Sequence, residues 1–193
     1  FQIYKNNKRI ILFLLKENGP IYASKKSTDQ LYRDYFLPYF IDDDEDFNIF
    51  NEKLVQRLKS GPPNKFQENQ NIGENELNVC KLIRSDSIEE FIIHINENSL
   101  SFDFVIEPTN FETNEFLIEN QPTLIEYSAF CGSIQIFQYL FTNKSKLNPE
   151  LWLYAIHGRN AEIIQLLENN HLNPPKNTFQ TCLNESIKCY ILH

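Results

Sequence analysis

The sequence predicts an all-α protein of short helix–turn–helix units leaning on one another, irregular in its N-terminal third. Three observations carry this expectation. A set of apolar and small positions returns at an offset of 27 residues: Leu124, Tyr127, Ser128, Ile136 and Leu140 come back as Leu151, Tyr154, Ala155, Ile163 and Leu167. Within each copy the apolar residues keep helical spacing, Ile136, Phe137, Leu140 and Phe141 in one and Ile163, Ile164 and Leu167 in the other, where the polar Glu168 takes the fourth place. A glycine, Gly132 or Gly158, separates the two helix-sized stretches of each copy. A unit this small cannot bury its apolar face alone, so the recurrence implies stacked neighbours and an elongated surface instead of an enclosed pocket.

The elements follow in order. Residues 7–19 read as the second helix of a unit, with Ile11 and Leu15 in the places of Ile136 and Leu140, and Asn18-Gly19-Pro20 as the stop. Residues 31–40 are aromatic-rich and expected to be half-buried. Residues 47–59 make a better helix, with Phe47, Phe50, Leu54 and Leu58 on one face and Gly61-Pro62-Pro63 ending it. Residues 64–76 are rich in Asn, Gln and Glu and read as a polar surface linker. A first helix is expected at 77–84. Ser87-Ile88-Glu89-Glu90-Phe91 then matches Ser133-Ile134-Gln135-Ile136-Phe137 and continues through Ile92 and Ile95. The link from Asn96 to Gln121 is longer than its counterpart, which implies an insertion around 107–120, where Pro108 limits any helix. Residues 178–190 read as the first helix of another unit, with Leu183, Ser186 and Ile187 on one face. The resulting division is a divergent helical region at 1–75 and repeats at 76–193, covering about 77–96, 122–144, 149–170 and a partial 178–193. The chain begins with Phe1 and contains no Met, and both ends read as cut from a longer array.

Composition bounds the function. The 193 residues, 41% hydrophobic and 23% charged, suffice for one domain or four to six short repeats. A net charge of −8 lacks the basic stripe that phosphates require and repels an anionic membrane surface, so neither nucleic acid nor membrane is an expected partner. The longest apolar run, 10–15, is far short of the ~20 residues that span a bilayer, and no signal peptide is visible. The expectation is an intracellular, cytoplasmic protein. On that expectation the Asn-x-Ser sequons at Asn143 and Asn184 are chance matches. The cysteines Cys80, Cys131, Cys182 and Cys189 are scattered without a Cys-x-x-Cys pair and read as reduced, mostly buried thiols.

Few residues invite a chemical reading. The acidic run Asp42-Asp43-Asp44-Glu45-Asp46 offers the first three ligand positions of a calcium loop. Phe47 then stands where the loop needs Gly, and Lys53 where it needs Glu, so the run reads as a solvated segment favouring the N-terminus of the helix after it. His94, His157, His171 and His193 form no His-x-x-x-His pair, and none sits beside a Cys at ligand spacing. His157 is expected to bond backbone carbonyls in the turn before the next helix. No nucleophile elbow, phosphate loop or dinucleotide loop appears. Ser128 and Ser186 stand where close helix packing wants small residues, Glu89-Glu90 reads as a solvated helix face, and Trp152 as a packing residue between units. No catalytic residue, cofactor or metal is expected.

On residues 85–91, 122–137 and 151–162 the chain resembles the ankyrin repeat family. More narrowly, it resembles a group of protist ankyrin-type proteins that carry a domain of unknown function. The resemblance covers about 76–190 and implies an ankyrin-like helical repeat solenoid, without catalytic residues, that binds a partner along a concave face. The chain departs from the family in two ways. The usual unit is about 33 residues, and the shortfall here falls around 143–149, where the family places a β-hairpin finger. The Thr-Pro-Leu-His signature is also altered, with Leu124 in place of Pro and Glu126 in place of His. No contact residue is therefore carried over. Periodicity alone places Glu126, Asn148, Glu150 and Arg159 on the surface as candidate partner-binding residues. The function these readings imply is a non-catalytic protein–protein interaction module whose partner is an unidentified protein with a basic patch. The alternatives are an enzyme, or a regulatory region of one, with a site near His157, and a structural spacer in a longer array.

Overall fold

The computed structural model describes residues 63–175 and 179–191. The expected helices at 7–19 and 47–59, the aromatic stretch at 31–40, the acidic run 42–46 and His193 lie outside them. Among the described residues the protein is all-α, with α1 Pro63–Ile72, α2 Asn78–Arg84, α3 Ile88–Glu97, α4 Glu115–Asn120, α5 Leu124–Cys131, α6 Ile134–Thr142, α7 Leu151–Gly158, α8 Ala161–Asn169 and α9 Gln180–Ile191. The chain divides into two compact units, Phe1–Glu76 with Pro108–Asn120, and Leu77–Glu107 with Gln121–His193.

In the first unit, the expected linker at 64–76 is helical over most of its length. Pro63 suits the first position of α1, and Lys65, Gln67, Glu68 and Gln70 are good helix formers. The aromatic Phe66 gives the helix an anchor, meeting Phe111 edge-on with ring centroids 4.8 Å apart. The Gly73 carbonyl accepts from both the backbone and the hydroxyl of Thr113. Glu112 accepts from the Asn75 backbone, and Asn114 accepts from the Leu117 backbone at the start of α4.

The second unit contains three helix pairs, α2–α3, α5–α6 and α7–α8, followed by α9. The first helices pack in the order α2, α5, α7, α9, and the second helices in the order α3, α6, α8. The residues that recur at the 27-residue offset are all core. Leu124, Tyr127, Ser128, Ile136 and Leu140, and their counterparts Leu151, Tyr154, Ala155, Ile163 and Leu167, are each 3% exposed or less. Their helices match in length as well: α5 and α7 have 8 residues each, and α6 and α8 have 9.

The helix ends repeat too. Each second helix closes on a residue with positive φ: Ser99 after α3, Lys144 after α6 and His171 after α8. In each case that residue's N–H bonds three positions back, and the next residue's N–H bonds five positions back, to Ile95, Leu140 and Leu167 respectively. This double closure satisfies carbonyls that a helix end otherwise leaves open. The first helices turn on Asp86, Gly132 and Arg159, all with positive φ. The left-handed turn residue of the third pair is therefore Arg159. Gly158, expected in that turn, is the last helical residue of α7.

The segment between α3 and α5 leaves and returns at one place. Ile106 N–H donates to the Pro122 carbonyl and Leu124 N–H to the Phe104 carbonyl, forming an isolated antiparallel bridge between Val105 and Thr123. Trp152 is buried; its Nε1 donates to the Leu172 carbonyl at 2.8 Å and its ring meets Phe179 edge-on. All four cysteines are reduced thiols, with Cys80, Cys182 and Cys189 buried and Cys131 half-buried.

Candidate functional site

The residues expected to share a binding surface separate into three roles. Glu126 is not on the surface: it is 6% exposed. It stands at the third position of α5, where one carboxylate oxygen accepts from both the backbone N–H and the hydroxyl of Thr123, each at 2.8 Å. The carboxylate reaching back to the Thr123 backbone N–H is the acidic half of a capping box, which uses up a donor at the helix start. Its other oxygen accepts from the half-buried Asn148 amide at 2.6 Å. Glu126 and Asn148 thus fasten the loop before α7 to the start of α5. Periodicity missed this because it gives the face of a helix and not the use made of its first turn.

Glu150 and Arg159 are exposed, as expected. They flank α7 at opposite ends, as the residues before and after its helical span. At 1.5 Å per residue they stand about 13 Å apart along the helix. They belong to different edges of the stack and cannot form one contact point.

The Arg159 edge holds a group of side chains that the sequence reading did not assemble. Close approach of α5 and α7 sets it up. A Cβ on Gly158 would lie 2.0 Å from the Ala129 carbonyl oxygen, so this position admits no side chain. The approach stacks Phe130 of α5 on the His157 imidazole, with ring centroids 5.1 Å apart. From the other side α9 supplies Glu185 and Cys189, one turn apart on the same helix face. His157 Nε2 lies 3.0 Å from Glu185 Oε1. Cys189 Sγ lies 3.3 Å from Nδ1 and 3.5 Å from Nε2 of the same ring. Lys188 Nζ donates to the second oxygen of Glu185 at 3.1 Å, and Arg159 donates to the Cys189 carbonyl at 3.0 Å.

The expectation that His157 bonds backbone carbonyls gives way to this carboxylate and thiol. His157 and Glu185 are largely shielded, with side chains 13% and 12% exposed, and Cys189 is buried. Burial opposes charge on Glu185, yet hydrogen bonds and charge from Lys188 and His157 outweigh it and hold the carboxyl below its usual range. Burial, reinforced by the Glu185 charge and partly offset by Arg159, pushes the Cys189 thiol up. The separations of 28 and 32 residues match no local ligand motif. The one legible signal was the Glu185–Cys189 pair at helical i, i+4 spacing.

Comparison of the chain with family models, with curated proteins and with solved structures finds no match.

Proposed function

We propose that the chain is a protein-interaction module built from ankyrin-like stacked helix pairs, with no catalytic role. The observation that supports this reading most is the repetition itself. Two successive helix pairs share helix lengths, buried positions and end closures at one 27-residue offset. An array of this kind grows by adding pairs, buries its core between neighbours and leaves loops at both edges to solvent, where partners are met. Glu150 and Arg159 are the candidate contacts that remain exposed. The net charge of −8 favours a partner with a basic patch, chiefly by steering encounter.

The test is capture of partners from a native lysate on the immobilised chain, followed by affinity measurement with the purified partner. Glu150→Lys is expected to weaken binding at least tenfold and to reduce its salt dependence. A captured protein that binds the Glu150→Lys and Arg159→Glu chains as tightly as the parent would remove these residues from the interface. Absence of any saturable partner would leave the spacer role.

The enzyme alternative near His157 has one observation in its favour, since thiol, imidazole and carboxylate lie in the order of a nucleophile, a base and an orienting acid. The state of the thiol weighs against it. Cys189 is buried and its pKa is raised, the reverse of an activated nucleophile.

A further inference from the structure

We propose that His157, Glu185 and Cys189 bind one zinc ion, which clamps α9 onto α7. The donor set is one imidazole, one carboxylate and one thiolate, each a ligand type that zinc accepts. The donor atoms all lie within 4.8 Å of one another. With ordinary bond lengths, a zinc tetrahedron has edges of about 3.4 Å between nitrogen and oxygen and about 3.5 Å between sulfur and nitrogen. The corresponding separations are 3.0 Å for Nε2 to Oε1 and 3.5 Å for Nε2 to Sγ. Two of the three edges are thus within about half an ångström of a coordinating arrangement. The third, from Sγ to the carboxylate, is no longer than 4.8 Å, and Sγ, which also lies 3.3 Å from Nδ1, must swing outward to meet an ion held on Nε2. Three protein ligands leave the fourth position to water.

The surroundings fit a cation held by two anionic ligands. Glu185 and a deprotonated Cys189 balance the two charges of zinc. Lys188 on the second oxygen of Glu185 and Arg159 on the Cys189 carbonyl orient those ligands from outside, as partners of metal ligands commonly do. Phe130 stacked on His157 fixes the plane of the ring. His157 lies in the last turn of α7, where the helix dipole favours positive charge. Glu185 and Cys189 project from one helix and His157 from another, so the ion would cross-link two members of the stack. On binding, zinc forms a bond to Sγ and the thiol proton passes to solvent, with no change of oxidation state. The clamp is independent of whether the stack binds a protein.

The experiment titrates the chelator-treated full chain with Co²⁺ and then Zn²⁺. Optical absorption reports thiolate–cobalt bonding, and thermal melting is followed with zinc and again after chelator. The expected result is one Co²⁺ per chain with a thiolate charge-transfer band, displacement by Zn²⁺, and a melting temperature that rises with zinc and falls back with chelator. Cys189→Ser is expected to abolish the band and Glu185→Gln to weaken binding at least tenfold. Cys182→Ser, on the same helix, keeps both band and affinity. Should Cys189→Ser fail to fold, Glu185→Gln against Cys182→Ser decides the matter. A parent chain with no thiolate–cobalt band and no zinc-dependent melting shift makes the group a hydrogen-bonded cluster only and overturns the proposal. Binding undiminished by Glu185→Gln or Cys189→Ser overturns it equally, by placing the ion elsewhere.

Discussion

Replacing Gly158 by Ala separates two accounts of this chain that predict opposite signs. If α7 were an isolated helix, the added methyl would improve helix propensity and stabilise the protein by about 1 kcal/mol. In the stack, the same methyl carbon is driven to 2.0 Å from the Ala129 carbonyl oxygen, 3.0 Å from the Gly132 nitrogen and 3.1 Å from the Ala129 carbonyl carbon. A close carbon–oxygen contact needs about 3.3 Å or more, so α5 and α7 must part by about 1 Å. The atoms struck are backbone and have no rotamer to change. Overpacking of this kind costs about 1–3 kcal/mol, and with backbone on both sides the upper end applies. Net of the propensity gain, the expected loss is about 2 kcal/mol, a factor of about 30 in the folding equilibrium. Urea unfolding followed by circular dichroism reads it as a lower midpoint at constant slope. Gly132→Ala is the companion. There φ of +71° adds about 1–2 kcal/mol of left-handed strain. A Gly158→Ala chain as stable as the parent, or more so, would show that α5 and α7 do not touch and would undo the stacking on which the functional reading stands.

Three further outcomes are expected. Glu126→Ala removes the acceptor of Thr123 and Asn148 from a buried site and should cost about 1–3 kcal/mol; a change within about 0.5 kcal/mol, normal for a surface position, would return Glu126 to the exposed face. Asp86→Ala removes the carboxylate that caps α6 through the Gln135 and Ile136 amides and should cost about 1 kcal/mol. Hydrogen exchange should then lose protection at those two amides but not at Glu162 and Ile163, which Asn160 caps. At alkaline pH the stack should weaken. Burial raises the hydroxyl pKa of Tyr127, with the charges of Cys131 and Cys80 adding to it and Arg84 opposing. Burial also raises that of Tyr154, helped by Glu126 and Glu150. Their folded values exceed the unfolded value of about 10, so the stability they confer is complete below about pH 10 and is lost as pH rises beyond it. Replacing both by Phe should flatten this dependence in alkaline urea titrations, and an unchanged slope would contradict their burial.

What the sequence disclosed, and what it hid, follows from the range of each interaction. Ile136, Leu140, Ile163 and Leu167 were legible because one helix face repeats every three to four residues and the next copy repeats the face. The helix at Pro63–Ile72 was hidden because its composition is polar and its anchor, Phe111, lies far along the chain. Glu126 was misread for a related reason. A charged residue on a helix is usually solvated, and only the spacing Thr123-x-x-Glu126 marks a capping role. Gly158 misled in the opposite direction. A glycine at a helix end suggests a left-handed turn, but here it is kept for lack of a Cβ where two helices touch, and the turn falls to Arg159. Of the His157 group only the Glu185–Cys189 spacing was legible, because three elements supply the group and only the stacking brings them within reach.

Two of these corrections, at Gly158 and at His157, fall on one edge of the second unit. At each junction there, a polar side chain from one turn reaches a backbone carbonyl of its neighbour: Ser133 bonds the Ile83 carbonyl, Asn160 the Gly132 carbonyl, and Arg159 the Cys189 carbonyl. Apolar faces tolerate sliding by a fraction of a turn, whereas such bonds have a single register. The apolar stripes therefore supply adhesion and the turn residues supply alignment. In a stack held by nearest-neighbour contacts, a weak junction frees only what lies beyond it. The junction between α7 and α9 adjoins the helix that keeps Leu183 and Ile187 exposed, with Phe179 exposed just before it. With part of its apolar surface facing water, α9 gains less from burial than α5 or α7. Its attachment leans correspondingly more on the His157, Glu185, Cys189 and Arg159 contacts, so the polar edge controls how firmly this end of the second unit is held.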